Sequence, residues 1–274
     1  MLRLALSILC GGCHVVFPLV TTGWSEPEPA ALAWSWTDAD DDPSLSGDML
    51  ELFFNQGSVI ARSTRGTTAE SWRPPAVVDE LGLGEALDTT PEILPDGLTM
   101  YLASDRGTGM QGAYDVFVAA RGLRDEPWGI PTRVLPLITV ASDTSPSADA
   151  DNLSIVITSD VPGDFDLYLS ERSSTTEQWP TPVPITAVNS GADEQAAFLS
   201  ADGLALYFVS TRNGSADLFI AQRASKRALF GEPELLAGLN SEAEDADPWV
   251  SPDGTEIYFI SNRTGRFELW HATR

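Results

Sequence analysis

"DADPWVSPDGTEIYFISNRTGRFELWHATR", residues 245–274, decides the fold. It opens on an acid, Asp245, with Pro248 three residues later. A Ser-Pro-Asp-Gly turn follows, then the alternating run "EIYFIS", a second turn "SNRTG", and a last run "FELWHATR". Alternation of period two, rich in aromatic and β-branched residues, reads as a half-buried strand. Asp-Gly supplies the positive φ that a tight hairpin needs. The stretch therefore encodes three antiparallel strands.

The unit recurs along the chain. The in-phase acids are Asp40, Asp88, Asp143, Glu194 and Asp245, each followed by Pro43, Pro91, Pro146, Ala197 or Pro248. The turns read "SGD", "LPDG", "DADN", "SADG" and "SPDG". Second strands read "LELFF", "LTMYLAS", "LSIVITS", "LALYFVS" and "EIYFIS". Third strands read "YDVFVAAR", "FDLYLSER", "ADLFIAQR" and "FELWHATR", with "SVIARSTR" as a poorer first copy. A fourth element, Trp/Phe-x-x-Pro, starts at Trp24, Trp72, Trp128, Trp179 and Phe230, at spacings of 48, 56, 51 and 51 residues. Proline confines that strand to a sheet edge. A four-stranded antiparallel unit of this length is the size of a propeller blade.

The ends predict how the ring closes. The last copy stops at Arg274 without a fourth strand, and the first Trp/Phe-x-x-Pro, at Trp24, precedes any complete copy. Together they make one blade, with the N-terminal strand covering exposed sheet edges. The expected fold is all-β: a five-bladed β-propeller over 24–274, closed by an N-terminal strand that completes the last, C-terminal blade.

The 245–274 stretch resembles the TolB-type propeller repeat, a WD-repeat-like unit built around a Pro-Asp-Gly turn. The resemblance covers roughly residues 24–274 and is strongest in blades two, four and five. It implies a propeller built from this repeat family. The chain departs from TolB in having five predicted blades where TolB has six, and in having no residues for that protein's α/β domain. The Ser-x-Asp-x-Gly-x-Thr-Trp box of sialidase-type propellers is absent.

The net charge is −24, and Lys226 is the only lysine. Nucleic acids and anionic membrane surfaces need cationic patches, so such a chain is a poor match for either. A cation, a basic peptide or a neutral ligand fits better; acidity also keeps a secreted protein soluble.

Residues 1–23 have the layout of an export leader: Arg3, then an apolar stretch interrupted by Cys, Gly, His and Pro. Cleavage after Gly23 would leave Trp24 to open the closing strand. The alternative is lipoprotein processing at Cys13, although Cys10 stands where a lipoprotein box has Leu. The expected location is periplasmic or extracellular, with an outer-membrane lipid anchor as the variant. "CGGCH" also matches the haem-attachment pattern through Cys10, Cys13 and His14. No folded module surrounds it, so no cofactor is expected from it.

In a propeller the first strand of each blade lines the central channel. The in-phase acids precede that strand, which predicts a ring of carboxylates around or near the channel mouth: Asp40, Asp88, Asp143, Glu194 and Asp245. Asp38, Asp41, Asp42, Asp193, Glu242, Glu244 and Asp247 thicken it. Like charges so arranged raise one another's pKa and are relieved by calcium or a basic group. The competing role is loop capping, since an Asp three residues before Pro can accept backbone N–H bonds.

Arg106, Arg212 and Arg263 are expected to pair with Asp115, Asp217 and Glu268 across the second hairpin. The recurrent Arg121, Arg172, Arg223 and Arg274 point to structure. The Trp/Phe of the fourth strand is expected to pack between blades. Symmetry breaks at Met110 and Gln111, at His271, and at Arg62. None of these makes a Ser-His-Asp set, a metal motif or a phosphate loop. The reading is a non-catalytic, exported propeller acting as a protein- or ligand-binding scaffold. The alternative is a carboxylate-dependent glycoside hydrolase, or a metal-dependent lactonase, on the same fold.

Overall fold

A computed structural model describes residues 23–82, 86–107, 113–161 and 163–274. The leader readings, including Cys10, Cys13 and His14, and the tip residues Met110 and Gln111 lie outside the described residues. The described residues form five four-stranded antiparallel sheets arranged as a five-bladed β-propeller. Apart from a 3-10 turn at Leu135–Leu137 they contain no helix. None of their elements is a helix long and apolar enough to cross a membrane.

The first strands are Asp40–Leu45, Asp88–Ile93, Asp143–Ala148, Glu194–Leu199 and Asp245–Val250. Each carries a register shift in its pairing with the second strand. The bulge places Asp42, Thr90, Ser145, Ala196 and Asp247 at φ between 45° and 51°. That region is uncommon for any side chain and an outlier for β-branched Thr90. Four of the five also precede proline, which disfavours helical backbone in its neighbour. Such strain costs about 1–3 kcal/mol per residue and persists only where surrounding contacts over-determine it. Bulges are enriched next to functional sites, where they re-aim side chains.

Closure follows the sequence reading. Strand Glu28–Pro29 pairs with Glu268–Thr273, with Glu28 opposite His271 and Pro29 opposite Trp270. The Ser25 N–H donates to the Thr273 carbonyl at 2.6 Å and the Ala30 N–H to Leu269 at 2.8 Å. The segment then crosses to blade one, where the Ala33 N–H bonds the Trp72 carbonyl at 2.8 Å.

The recurrent arginine at the end of each third strand is a latch. Its guanidinium lies over the Trp/Phe of its blade's fourth strand: Arg65 on Trp72, Arg121 on Trp128, Arg172 on Trp179, Arg223 on Phe230 and Arg274 on Trp24, at 3.9–4.7 Å. Its Nε donates to a carbonyl in the first turn: Met49, Gly97, Asn152, Gly203 or Gly254. The aromatic packs inward against the preceding blade, as where Trp128 meets Phe53 edge-on at 5.9 Å. Each latch ties turn, third strand and fourth strand together, and in the fifth blade it also joins the two ends of the described chain.

Candidate functional site

The five in-phase acids are buried, each at most 2% exposed. Four of them are held by the preceding loop. Asp40 accepts the Thr37 N–H at 2.8 Å, Asp143 accepts Thr139 at 2.6 Å, Glu194 accepts Ser190 at 2.6 Å and Asp245 accepts Ser241 at 2.6 Å. The Thr or Ser hydroxyl of the same residue donates as well.

Arg106, Arg212 and Arg263 take these acids as partners rather than Asp115, Asp217 and Glu268. Arg106 pairs with Asp88, Arg212 with Glu194 at 3.0 Å, and Arg263 with Asp245 at 2.5 Å. Each guanidinium also donates to a loop carbonyl, Leu81, Val188 or Leu239. Asp115 pairs with Arg133 instead, and Glu268 with Arg266. Blade three has no arginine in this place, and burial raises the pKa of Asp143 despite its bonds from Thr139 and Ser159.

None of the five acids lines the axial cavity. Its walls come from the residues two to four positions further on. Uppermost stand the left-handed residues Asp42, Thr90, Ser145, Ala196 and Asp247; beneath them lies a collar of Pro43, Pro91, Pro146, Ala197 and Pro248. The cavity is narrow, about 40 Å³. Below the collar the same strands present Ser44, Glu92, Ser147, Phe198 and Trp249. Glu92 and Phe198 line both the upper cavity and a smaller one beneath, so they partition the axis.

Charge is concentrated on one side of the mouth, where blades five and one meet. The Asp42 N–H points at Asp247 Oδ2, 3.4 Å away. Asn55 organises the rest: its Nδ2 lies 2.6 Å from Asp41 Oδ1, 2.9 Å from Asp42 Oδ2 and 2.5 Å from Thr89 Oγ1, and its Oδ1 accepts the Thr90 N–H at 2.9 Å. Burial, opposed by the Asn55 bond and reinforced by Asp40, raises Asp41 to about 6. Burial and then the charge of Asp41 raise Asp247 to about 7. Asp42 is pushed well above the usual carboxylate range by burial, then by Asp247 and Asp41. No lysine, arginine or histidine lines this cavity.

Glu92 is a different kind of group. Ser44 Oγ donates to it at 2.8 Å from blade one, and Ser147 Oγ lies 3.4 Å away in blade three. Burial outweighs both bonds and raises it to about 8. Both serines also staple neighbouring blades, accepting the Ile93 and Leu199 N–H groups at 2.9 Å.

The sequence reading named Asp41, Asp42 and Asp247 only as additional acids, and missed Asn55 and Glu92. Each stands out against its own column. Asn55 aligns with Ala103, Thr158, Val209 and Ile260 opposite the first strands. His271 Nε2 pairs with Glu256 at 2.5 Å, its ring 4.5 Å from Tyr258, away from the axis. Among the described residues no three His, Cys, Asp or Glu side chains converge in a way that would hold a metal ion.

Similar folds occur in known structures. The chain superposes on a TolB candidate from Agrobacterium tumefaciens at TM-score 0.53 and 18% identity, covering 83% of this chain and 72% of that one. The likeness is one of propeller fold. Acinetobacter baumannii TolB gives TM-score 0.52 at 16% identity; 85% of this chain is covered but only 54% of that one. A GH62 hydrolase in complex with xylotriose gives TM-score 0.54 at 13% identity, covering 90% and 95%. Identities this low carry the architecture alone. No family model and no curated protein matches the chain.

Proposed function

We propose that this chain is an exported, non-catalytic propeller of the cell envelope that holds a cationic segment of a protein partner at its axial mouth. The observation that carries the reading is the group Asp41, Asp42 and Asp247, crowded on one side of a narrow opening with no cation among its lining residues. A lysine or arginine side chain would relieve the mutual repulsion and take up the free carboxylate oxygens. Its methylenes would lie against the proline collar. The strained backbone in all five blades supports the reading, because it fixes the rim in one geometry.

The test is titration of a lysine-rich tripeptide into the protein at low and high salt. Binding that weakens with salt, and by at least tenfold in Asp42→Asn/Asp247→Asn, supports the proposal. Salt-insensitive binding, or equal affinity in the variant, refutes it. Calcium in place of peptide is the control, read as a shift in thermal unfolding midpoint.

The second reading is a glycoside hydrolase. It is favoured by the pairing of a protonated, buried Glu92 with ionisable acids above it, two carboxyl environments of unlike pKa. The cavity's 40 Å³ weighs against it, because small-molecule sites run to roughly 300–1,000 Å³. A screen of glycans and lactones with wild type and Glu92→Gln decides between the two: turnover lost in that variant favours the hydrolase.

A further inference from the structure

Away from the axis, the groove between blades one and two gathers four arginines, Arg62, Arg73, Arg121 and Arg124, in a molecule rich in acids. On the third strand, the residues opposite Phe53, Tyr101, Val156, Tyr207 and Tyr258 are Arg62, Val118, Leu169, Ile220 and His271. Blade one alone places a guanidinium there. Arg62 reaches Glu51 at 2.5 Å, but Glu51 is already shared with Arg121 at 2.6 Å and approached by Arg124 at 3.8 Å. Arg124 is shared with Asp48 in turn. The one buried carboxylate therefore faces three guanidinium groups.

Donors are left over. Arg62 Nε is buried and has no acceptor among the described residues. That Nε is closed off from the groove, as is Glu51 Oε1 beside it, so a ligand would meet the outer nitrogens of Arg62, whose side chain is 35% exposed. Arg73 lines the same groove, exposed, and makes no ion pair among the described residues. Glu80, Asp125 and Glu126 also line it, yet none comes within ion-pair distance of Arg62 or Arg73, and Glu126 accepts the Leu123 N–H at 3.1 Å instead. The groove measures about 520 Å³, and Pro74, Val77 and Pro127 give it an apolar wall.

We infer that this groove binds an organic carboxylate, held between the guanidinium groups of Arg62 and Arg73, with the ligand's apolar body against Pro74 and Val77. Planar guanidinium matches a planar carboxylate in two-point contact. The body matters because a net charge of −24 repels a free anion at long range, so a bare oxyanion has nothing to offset that repulsion. The site shares no residue with the axial mouth, and its success or failure is independent of the proposed function.

The probe is hexanoate, titrated at constant ionic strength and compared with inorganic phosphate and hexan-1-ol. Wild type is expected to bind hexanoate at least tenfold more tightly than either. Arg62→Leu introduces the residue type that Leu169 supplies in blade three and leaves Glu51 paired with Arg121, so the fold is kept. It should weaken hexanoate at least tenfold. Arg266→Leu, an exposed arginine of blade five, should leave affinity unchanged. Equal binding by wild type and Arg62→Leu overturns the proposal. So does an Arg266→Leu loss as large as that of Arg62→Leu, or phosphate binding as tight as hexanoate.

Discussion

Replacing Glu92 with Gln isolates the cost of burying a carboxyl at the waist of the ring. The folded protein holds that proton up to about pH 8, whereas the ordinary value is 4.5. Below the ordinary value both states are protonated, and nothing is lost. Between it and about pH 8 the unfolded chain releases its proton while the folded chain keeps it, so stability falls as pH rises. The interval is about 3.5 pH units at roughly 1.36 kcal/mol each, which sets a ceiling of about 5 kcal/mol on the penalty. Water entering the cavity from the mouth lowers the realised figure, and ~2–3 kcal/mol is expected, within the range of most single-residue effects. Gln has nearly the same shape and keeps an acceptor for Ser44, but it does not ionise. Urea unfolding of both proteins from pH 4 to pH 9 gives the difference directly. Any offset near pH 4 should grow in favour of Gln towards pH 8 and then level off. A difference that does not change with pH would refute the account of Glu92 as a buried, neutral acid.

Other consequences concern the scaffold. Trp24→Ala removes the aromatic that Arg274 covers and should cost about 3–5 kcal/mol, seen as a lowered thermal midpoint. Arg263→Ala leaves Asp245 buried without its cation and should cost about 3 kcal/mol, more than loss of the exposed Arg266. Asn55→Val, which copies Val209 of blade four, orphans the Thr90 N–H and should destabilise by about 1–3 kcal/mol in chemical unfolding. The stability gained by Asp247→Asn should grow from about pH 4 to about pH 7 and stay constant above it, because an acid whose pKa is raised in the folded state costs stability once the unfolded chain ionises.

How far the chain could be read in advance depends on what repeats. The repeated latch is legible because Arg121, Arg172, Arg223 and Arg274 recur at a fixed place relative to the aromatic. Closure is legible because Trp24 and Arg274 are two halves of one repeat. The partner of Arg106, Arg212 and Arg263 is not legible in the same way. Asp115, Asp217 and Glu268 are nearer along the chain, but the guanidinium folds back across Ser104, Ser210 or Ser261 towards the first strand. The acids that begin the first strand are legible as a set. The β-bulge, however, turns the next two residues towards the opening, and one residue of register decides which carboxyl faces the channel. Asn55 and Glu92 carry no motif. They differ from their counterparts in single blades, and only the lateral alignment of five sheets makes that visible.

The claim that the acidic mouth holds a cationic side chain is tested most directly by calorimetry in two buffers of different ionisation enthalpy, because a cation bound among acids of raised pKa displaces protons. Lysine tripeptide would be titrated near pH 6.5, where Asp41 and Asp247 are partly protonated. The account predicts apparent enthalpies that differ between buffers, with protons released on binding, and a smaller difference in Asp42→Asn/Asp247→Asn, which keeps Asp41. Identical enthalpies in both buffers for the native protein, with binding intact, would contradict it.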